Sequence, residues 1–399
     1  MATQKTQVAG ALDPGFGHEG RVFFTLDRSA FGGSSKLLSD GRILTVGVNA
    51  ADLVLVRHLG NGEVDSAFGN QGIQRISLIP HGSPLQASLT LQSNARALVF
   101  GSVGDASGRM IYLIRTLSDG KLDSTFGREG RVFIDLPAGE DAVHALAIQP
   151  DGKIVLTARV QRDFEDYDEV LLRLDSTGQL DPTFGKAGTV VIGKGEFSSV
   201  LALADNRLLL AGFDGNAVLF ARYLSDGRPD TDFGESGFVT IEVSSSRFVQ
   251  IAAAKRQRDG KIVAVGSADL GSKGFHPLIT RINPDGSLDS TFNNGSPALI
   301  GFQGYEVKHG AVAIQPDNKI LAAGASLGSL ETANFTLMRL LPNGTLDMEF
   351  GSQGRVMTHM GGLDISQDVA VQVDGKIVVS GWVIASPQGT GIGIARYFG

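Results

Sequence analysis

Seven aspartates recur along this 399-residue chain, and each is followed three positions later by a phenylalanine. Repeated carboxylates could bind cations, act as acids or pair with basic side chains. An arginine stands eight residues before six of these aspartates, and Arg396 supplies the partner of Asp13 across the chain termini. Because a guanidinium fork matches a carboxylate, the spacing predicts seven ion pairs. They are Arg57–Asp65, Arg115–Asp123, Arg173–Asp181, Arg222–Asp230, Arg281–Asp289, Arg339–Asp347 and Arg396–Asp13.

Two interpretations of these pairs are open. The functional one is a ring of seven ion-binding sites. The structural one is a salt bridge that holds a turn and orients the phenylalanine as a plug between repeats, and we favour it because the charges recur in every unit. Calcium needs about six to eight oxygen ligands, yet the place of Asp119 is taken by Asn61, Asn343 and Thr177 in other units. We therefore predict no metal and no cofactor.

Chemistry that belongs to a single unit must come from residues that do not repeat. Acids, histidines and aromatics gather in the segments 139–144, 159–172, 268–277, 302–310 and 381–391. The candidate ligand-binding residues are Asp141, His144, Asp166, Tyr167, Asp168, Tyr305, His309 and Trp382. Their convergence near one axis is the default ligand-site hypothesis. The alternative is that they belong to solvated loops, with Trp382 a plug between repeats. No catalytic residue is assigned, since no GxSxG motif and no metal-ligand spacing of histidines occurs.

The elements that must position these residues are short β-strands. Asp-Gly turns followed by a basic residue, as in "PDGKIVLTA" (150–158), join two apolar runs and predict hairpins. The arginine lies in a third strand, as in "VLLRL" (170–174), and a fourth strand such as "GTVVI" (188–192) follows the Asp-Phe motif. No apolar stripe with a period of 3.6 persists, so no helix is predicted.

A glycine follows the motif phenylalanine in six copies, and Asn293 replaces it in the remaining one. Asparagine is the residue best tolerated at positive φ after glycine. This substitution predicts that the position needs a left-handed backbone rather than a missing side chain.

Four-stranded units repeated radially predict an all-β fold, a seven-bladed β-propeller with four-stranded antiparallel blades. A β-solenoid is the alternative, but its coils span only about 20–30 residues and lack tight Asp-Gly hairpins. The chain ends after a third strand and begins with a fourth, "GRVFFTL" (20–26). We therefore expect the N-terminal strand to join the C-terminal blade and close the ring. Residues 1–10 are expected to form a tail, and 11–399 a single propeller domain.

The motifs "LDSTFGREG" and "QPDGKIVLTA", with the third-strand arginine, resemble the bacterial delta-60 repeat family over residues 11–399. The strand order is similar to that of NHL-type propellers. The resemblance implies a propeller-like fold, no particular activity and no catalytic residues. The function predicted first is a non-enzymatic recognition or scaffold propeller that binds a protein or peptide through variable loops on one face. A lectin-like propeller that binds a glycan, and a hydrolase or lyase with an axial acidic and histidine site, are the alternatives.

Composition limits the remaining partners. The net charge is −7 and no basic run occurs, so no nucleic acid is expected. The chain has no cysteine, which excludes disulfides and thiolate chemistry. No apolar stretch is long enough to span a membrane, and the N-terminus lacks the apolar core of a signal peptide. We expect a monomer that is cytoplasmic, or exported without a cleavable signal.

Overall fold

The predicted β-propeller is confirmed by a computed structural model. It describes residues 8–27, 30–49, 52–92, 95–105, 108–136, 141–163, 166–193, 195–302, 304–328, 333–385 and 389–399. Seven antiparallel sheets are arranged in a ring as blades. No α-helix occurs among these residues, and short 3-10 turns lie at Gly271–Lys273 and Asn293–Gly295.

The strands follow the chain in blade order, except that the first strand, β1 (Arg21–Asp27), belongs to the last blade. Blade 1 contains β2 (Ala30–Leu37), β3 (Ile43–Asn49), β4 (Asp52–His58) and β5 (Ile73–Ser77). Blade 2 contains β6 (Ser83–Pro84), β7 (Ser88–Leu91), β8 (Ala97–Asp105), β9 (Gly108–Thr116) and β10 (Arg131–Ile134). Blade 3 contains β11 (Ala142–Ile148), β12 (Ile154–Asp163), β13 (Asp166–Leu174) and β14 (Thr189–Gly193). Blade 4 contains β15 (Glu196–Ala202), β16 (Leu208–Asp214), β17 (Ala217–Tyr223) and β18 (Phe238–Glu242).

The last three blades repeat this order. Blade 5 contains β19 (Phe248–Arg256), β20 (Ile262–Asp269), β21 (Phe275–Ile282) and β22 (Ala298–Leu299). Blade 6 contains β23 (Glu306–Ile314), β24 (Ile320–Leu327), β25 (Phe335–Leu340) and β26 (Arg355–Thr358). Blade 7 contains β27 (Leu363–Val371), β28 (Ile377–Ala385), β29 (Gly389–Tyr397) and β1.

The first strand of each blade faces the axis, because the first strands of neighbouring blades pack against one another. A β-bulge interrupts most of these inner strands; in β11 it falls between Val143 and Ala145 and makes His144 the extra residue. In blade 2 the inner strand is broken, so that β6 and β7 both pair with β8. The second and third strands are buried on both faces, and for this reason they are almost continuously apolar.

The two chain ends meet in blade 7. Strand β1 pairs antiparallel with β29, with Arg21 opposite Ala395 and Phe24 opposite Ile392. The described end of the expected tail, residues 8–10, is also packed: the backbone N–H of Gly351 donates to the carbonyl oxygen of Ala9 at 3.0 Å. In other blades the motif glycine donates the same hydrogen bond to a carbonyl oxygen in the turn before the next motif, for example Gly127 to Thr177. Residues 8–10 therefore form the corresponding turn before the first motif.

Loop lengths distinguish the two faces of the ring. The turns between first and second strands have one length in the six blades where the whole turn is described, at 38–42, 149–153, 203–207, 257–261, 315–319 and 372–376. We call this side the constant face. The loops that follow second strands and those that precede first strands emerge on the other side and differ in length. We call this side the variable-loop face.

Candidate functional site

Each repeated arginine contacts its aspartate and its phenylalanine, and among the described residues six of the seven also donate to a backbone carbonyl of the next blade. In blade 2, Nε of Arg115 lies 2.8 Å from Oδ2 of Asp123, and the guanidinium lies 4.5 Å from the centre of the Phe126 ring. Its NH1 group donates to the carbonyl oxygen of Ser176 in the next blade at 2.6 Å. Across the seven units the Arg–Asp distance is 2.6–2.9 Å and the Arg–ring distance 4.3–4.8 Å.

A second cation, not assigned from the sequence, contacts every motif aspartate. It is the basic residue at the end of each turn between the first and second strands, for example Lys153 at 2.9 Å from Asp181. The full set is Arg42, Arg96, Lys153, Arg207, Lys261, Lys319 and Lys376. The hairpin brings the start of the second strand beside the end of the third, which explains why this residue is basic in every unit.

Both oxygens of these carboxylates are engaged by the protein. Burial by itself would raise the pKa of Asp123, but hydrogen bonds from Thr125 and the charges of Arg115 and Arg96 outweigh it and hold the pKa below its usual value. The motif phenylalanines are all buried. The contacts leave no open coordination position and favour the structural interpretation of the pairs.

The predicted positive φ at the motif glycine is confirmed. The prediction that the missing side chain is unimportant there is wrong, because a Cβ would clash with the backbone at the six glycines. The six glycines have φ of 52–56°, and Asn293 has φ of 44°. A Cβ at Gly127 would lie 2.2 Å from the carbonyl oxygen of Arg131, so the other blades have no room for a side chain. Asn293 fits because the backbone enters a 3-10 turn at this residue, and the outer strand of blade 5 starts further from the motif than in the other blades.

The non-repeated candidate residues are distributed over blades 3, 6 and 7. Asp141 is fully buried, and its Oδ2 accepts a hydrogen bond from the backbone N–H of Leu136 at 2.8 Å. In blade 7, Asp364 caps the corresponding loop in the same way through the N–H of Met360. Asp141 therefore holds the backbone at Leu136 through this hydrogen bond.

Two further candidates lie away from blade 3, in blade 6. Tyr305 is 49% exposed and lines a surface depression with Lys273, His276 and Phe302. His309 is buried, with its ring 6.1 Å from Phe302 in an edge-to-face arrangement. Burial lowers the pKa of His309 to about 3. His309 is thus a neutral core histidine, unlike the exposed Tyr305.

Trp382 lies in strand β28 of blade 7, where it is half-buried and opposite Ile365 and Ile392. The side chain of Asp166 lies outside the described part of the structure. Asp168 is half-buried in β13, opposite Val160. Neither Trp382 nor Asp168 lines the pocket described next.

Tyr167 lines a cleft between blades 3 and 4, and His144 lies next to this cleft, against Glu196. The cleft has a volume of ≈ 380 Å³ and is lined by Arg159, Tyr167, Glu169, Glu196, Phe213 and Asp214, together with Gly193, Gly195 and Gly215. The guanidinium of Arg159 stacks on the Tyr167 ring at 3.6 Å. Glu196 lies 3.7 Å from Arg159 and 3.6 Å from Nδ1 of His144.

Glu169 is the unusual group of this cleft. Its side chain is 3% exposed, and Oε1 accepts a hydrogen bond from the backbone N–H of Phe197 at 3.3 Å. Burial, with a smaller effect of the Glu196 charge, raises the pKa of Glu169 to about 8. Burial also lowers the pKa of His144, although Glu196 partly opposes this shift. At neutral pH both side chains are therefore uncharged.

Sequence reasoning missed Glu169, yet the repeats contain the information. Counting back four residues from the third-strand arginine gives a buried apolar residue in every other unit. These residues are Leu53, Ile111, Val218, Pro277, Phe335 and Ile392. Only blade 3 places an acid there.

Comparisons with known proteins agree on the fold. Residues 149–184, 257–292 and 315–350 match a family model described as a domain of unknown function (DUF5122) beta-propeller. Each matched segment runs from the first turn of a blade to its motif phenylalanine. No curated protein matches the chain. No helix among the described residues is long and apolar enough to cross a membrane.

Solved structures add similarity over almost the whole chain. A protein of unknown function from Dyadobacter fermentans has a TM-score of 0.52 at 14% identity, covering 96% of this chain and 99% of its own. The Nup133 β-propeller domain of Vanderwaltozyma polyspora has a TM-score of 0.47 at 9% identity, with coverage of 95% and 100%. A polysaccharide lyase of family PL25, an ulvan lyase, has a TM-score of 0.46 at 11% identity, with coverage of 94% and 96%. The similarity to the Dyadobacter fermentans protein is one of fold.

Proposed function

We propose that this chain is a non-enzymatic recognition propeller that binds a protein or peptide partner through its variable-loop face. The observation that carries the proposal is the position of the exposed aromatic side chains. Among the described residues, these are Tyr167, Phe248 and Tyr305, which are 39%, 39% and 49% exposed. Each lies within one residue of the start of a first or third strand, and the starts of those strands emerge on the variable-loop face.

Exposed tyrosine and phenylalanine are enriched in protein interfaces, where they contribute a large contact area at a small cost in conformational entropy. The constant face also exposes apolar residues, but they are aliphatic, as at Leu288, Met348 and Val373. Loops of different length on a rigid sheet scaffold are the usual location of binding residues. Both features support recognition on the variable-loop face.

We further propose that the repeats are of the delta-60 type. The support is that the seven units share the Asp-Phe motif, the Asp-Gly or related turn and the third-strand arginine. This assignment concerns the architecture and adds no activity.

The proposal can be tested by quantitative affinity capture. Immobilised wild type is compared with a Tyr167→Ser, Phe248→Ser and Tyr305→Ser triple variant, after circular dichroism has shown that both are folded. A partner of the variable-loop face should be enriched by the wild type and lost at least about tenfold by the variant, as expected when several interface aromatics are removed. Binding of the purified partner to the wild type and to the triple variant is then measured directly.

A matched control variant distinguishes specific binding at the variable-loop face from non-specific hydrophobic adsorption. Leu288→Ser, Met348→Ser and Val373→Ser remove a similar number of exposed apolar side chains from the constant face. This control should retain the partner. Equal capture by the wild type and the aromatic variant, or loss in the control alone, contradicts the proposal.

A further inference from the structure

The cleft between blades 3 and 4 contains a carboxylic acid that the fold does not require. The six equivalent positions are apolar and buried, so the local packing accepts an aliphatic or aromatic side chain there. A buried acid is normally destabilising unless it has a partner. Glu169 has one backbone hydrogen bond and lines an open cleft. An acid retained at such a place indicates a role toward something that enters the cleft.

The charged and titratable groups around Glu169 come from five strands. They are His144 on β11, Arg159 on β12, Asp168 on β13 itself, Glu196 on β15 and Asp214 on β16. The Arg159 and Glu196 charges lie close enough to offset each other, and His144 is neutral. Because Glu169 holds its proton at neutral pH, the buried centre of the cleft offers hydrogen-bond donors and acceptors. Asp214 adds a further carboxylate to the lining, so the cleft favours an uncharged ligand over an anionic one.

The remaining walls suit a compact polar ligand with an apolar side. The partly exposed ring of Tyr167 provides an aromatic surface. The positions where Cβ atoms of Gly193 and Gly215 would stand have no atom within 4 Å, so the rim is open. The volume of ≈ 380 Å³ lies within the range of ligand pockets. A sugar ring combines hydroxyl groups at its edge with C–H groups on its face and so matches these walls.

We propose that the cleft lined by Tyr167, Glu169 and Glu196 binds an uncharged saccharide, with Glu169 as hydrogen-bond donor and Glu196 as acceptor. This inference shares only Tyr167 with the protein-binding proposal, and its geometry does not involve Phe248 or Tyr305. The variant Gly215→Asn, which fills the cleft rim and keeps all three aromatic side chains, distinguishes the two proposals. A protein partner and a saccharide would each be detected without the other.

Saturation-transfer NMR tests the inference with maltotetraose, cellotetraose, mannotetraose and xylotetraose, and with tetragalacturonate as the anionic comparison. At least one neutral oligosaccharide should receive saturation from the wild-type chain at pH 7. Gly215→Asn should abolish that transfer, since asparagine tolerates the φ of 58° and its side chain would fill the cleft rim. Gly375→Asn is the matched control, because Gly375 also has positive φ and free space but lies on the constant face.

The pH dependence tests the role of Glu169. With a pKa of about 8, about a tenth of the molecules keep the proton at pH 9, so wild-type affinity should fall about tenfold from its value at pH 7. Glu169→Gln carries a neutral donor at both pH values and should bind equally at both. Absence of transfer to all four neutral sugars, transfer to tetragalacturonate alone, or transfer unaffected by Gly215→Asn would overturn the inference. A wild-type affinity that is the same at pH 7 and pH 9 would overturn it as well.

Discussion

Nε of Arg396 lies 2.8 Å from Oδ2 of Asp13, although 383 residues separate the two in the chain. The same guanidinium lies 4.7 Å from the centre of the Phe16 ring and donates a hydrogen bond to the carbonyl oxygen of Gly60 in blade 1. One side chain therefore joins the C-terminal strand, the N-terminal turn and the neighbouring blade. Both charged groups are buried, so a substitution that removes one charge leaves the other buried without its main partner.

Arg396→Met should lower the free energy of unfolding by about 3–5 kcal/mol, the usual cost of breaking a buried ion pair. Methionine keeps much of the aliphatic length and removes the charge and the donors. The matched control is Arg228→Met, which breaks the exposed pair with Asp226 at 2.8 Å and should cost no more than about 1 kcal/mol. Urea unfolding measures both variants, and equal costs would contradict the structural interpretation of the pair.

Deletion of residues 1–27 should lower the melting temperature sharply. It removes β1, Asp13 and Phe16 together, leaving β29 with an unpaired edge and Arg396 without its carboxylate. Differential scanning calorimetry measures the effect. A synthetic peptide of residues 8–27, added in trans, should restore part of the lost stability because it supplies the missing strand. A truncated chain that melts at the wild-type temperature would show that the N-terminal strand is dispensable.

The repeated features were predictable because their spacing is local and constant. In six units the arginine, aspartate and phenylalanine lie within a short stretch, and in the seventh unit the two chain ends meet to reproduce the same geometry. The second cation on each aspartate was less evident. Lys153 and Asp181 meet only because the hairpin and the third strand run side by side, which a linear motif does not express.

The cleft could not be predicted from the sequence, because the loops that form it do not repeat. Tyr167 and Glu196 come from neighbouring blades, and their proximity depends on how two unlike loops leave their sheets. His309 illustrates the opposite case: a polar residue in a variable segment proves to be part of the core. Glu169 could have been identified from the sequence, since aligning the units on their third-strand arginines shows a single acid at a position that is apolar in the other six.

Glu169→Gln should stabilise the fold more strongly as the pH rises. The usual pKa of 4.5 is raised to about 8 in the folded state, so the folded chain retains a proton that the unfolded chain loses between these values. The wild-type free energy of unfolding therefore falls across that window, by at most about 1.4 kcal/mol per pH unit. Glutamine does not titrate. Urea unfolding from pH 5 to pH 9 should show that the difference in the free energy of unfolding between Glu169→Gln and wild type grows and then levels off above pH 8. A constant difference would show that Glu169 does not hold a proton in the folded chain.

His309→Leu should make the protein less sensitive to acid. Burial lowers the pKa of His309 from 6.5 to about 3, so the imidazole stays neutral in the folded chain and gains a proton in the unfolded one. Its contribution to stability is present above pH 6.5 and is lost progressively as the pH falls toward 3. Leucine should abolish this contribution to the pH dependence, and His58→Leu should act in the same direction because burial lowers the pKa of His58 to about 4. Urea midpoints between pH 7 and pH 4 measure the effect, and parallel profiles for wild type and His309→Leu would show that this histidine is not held neutral by the core.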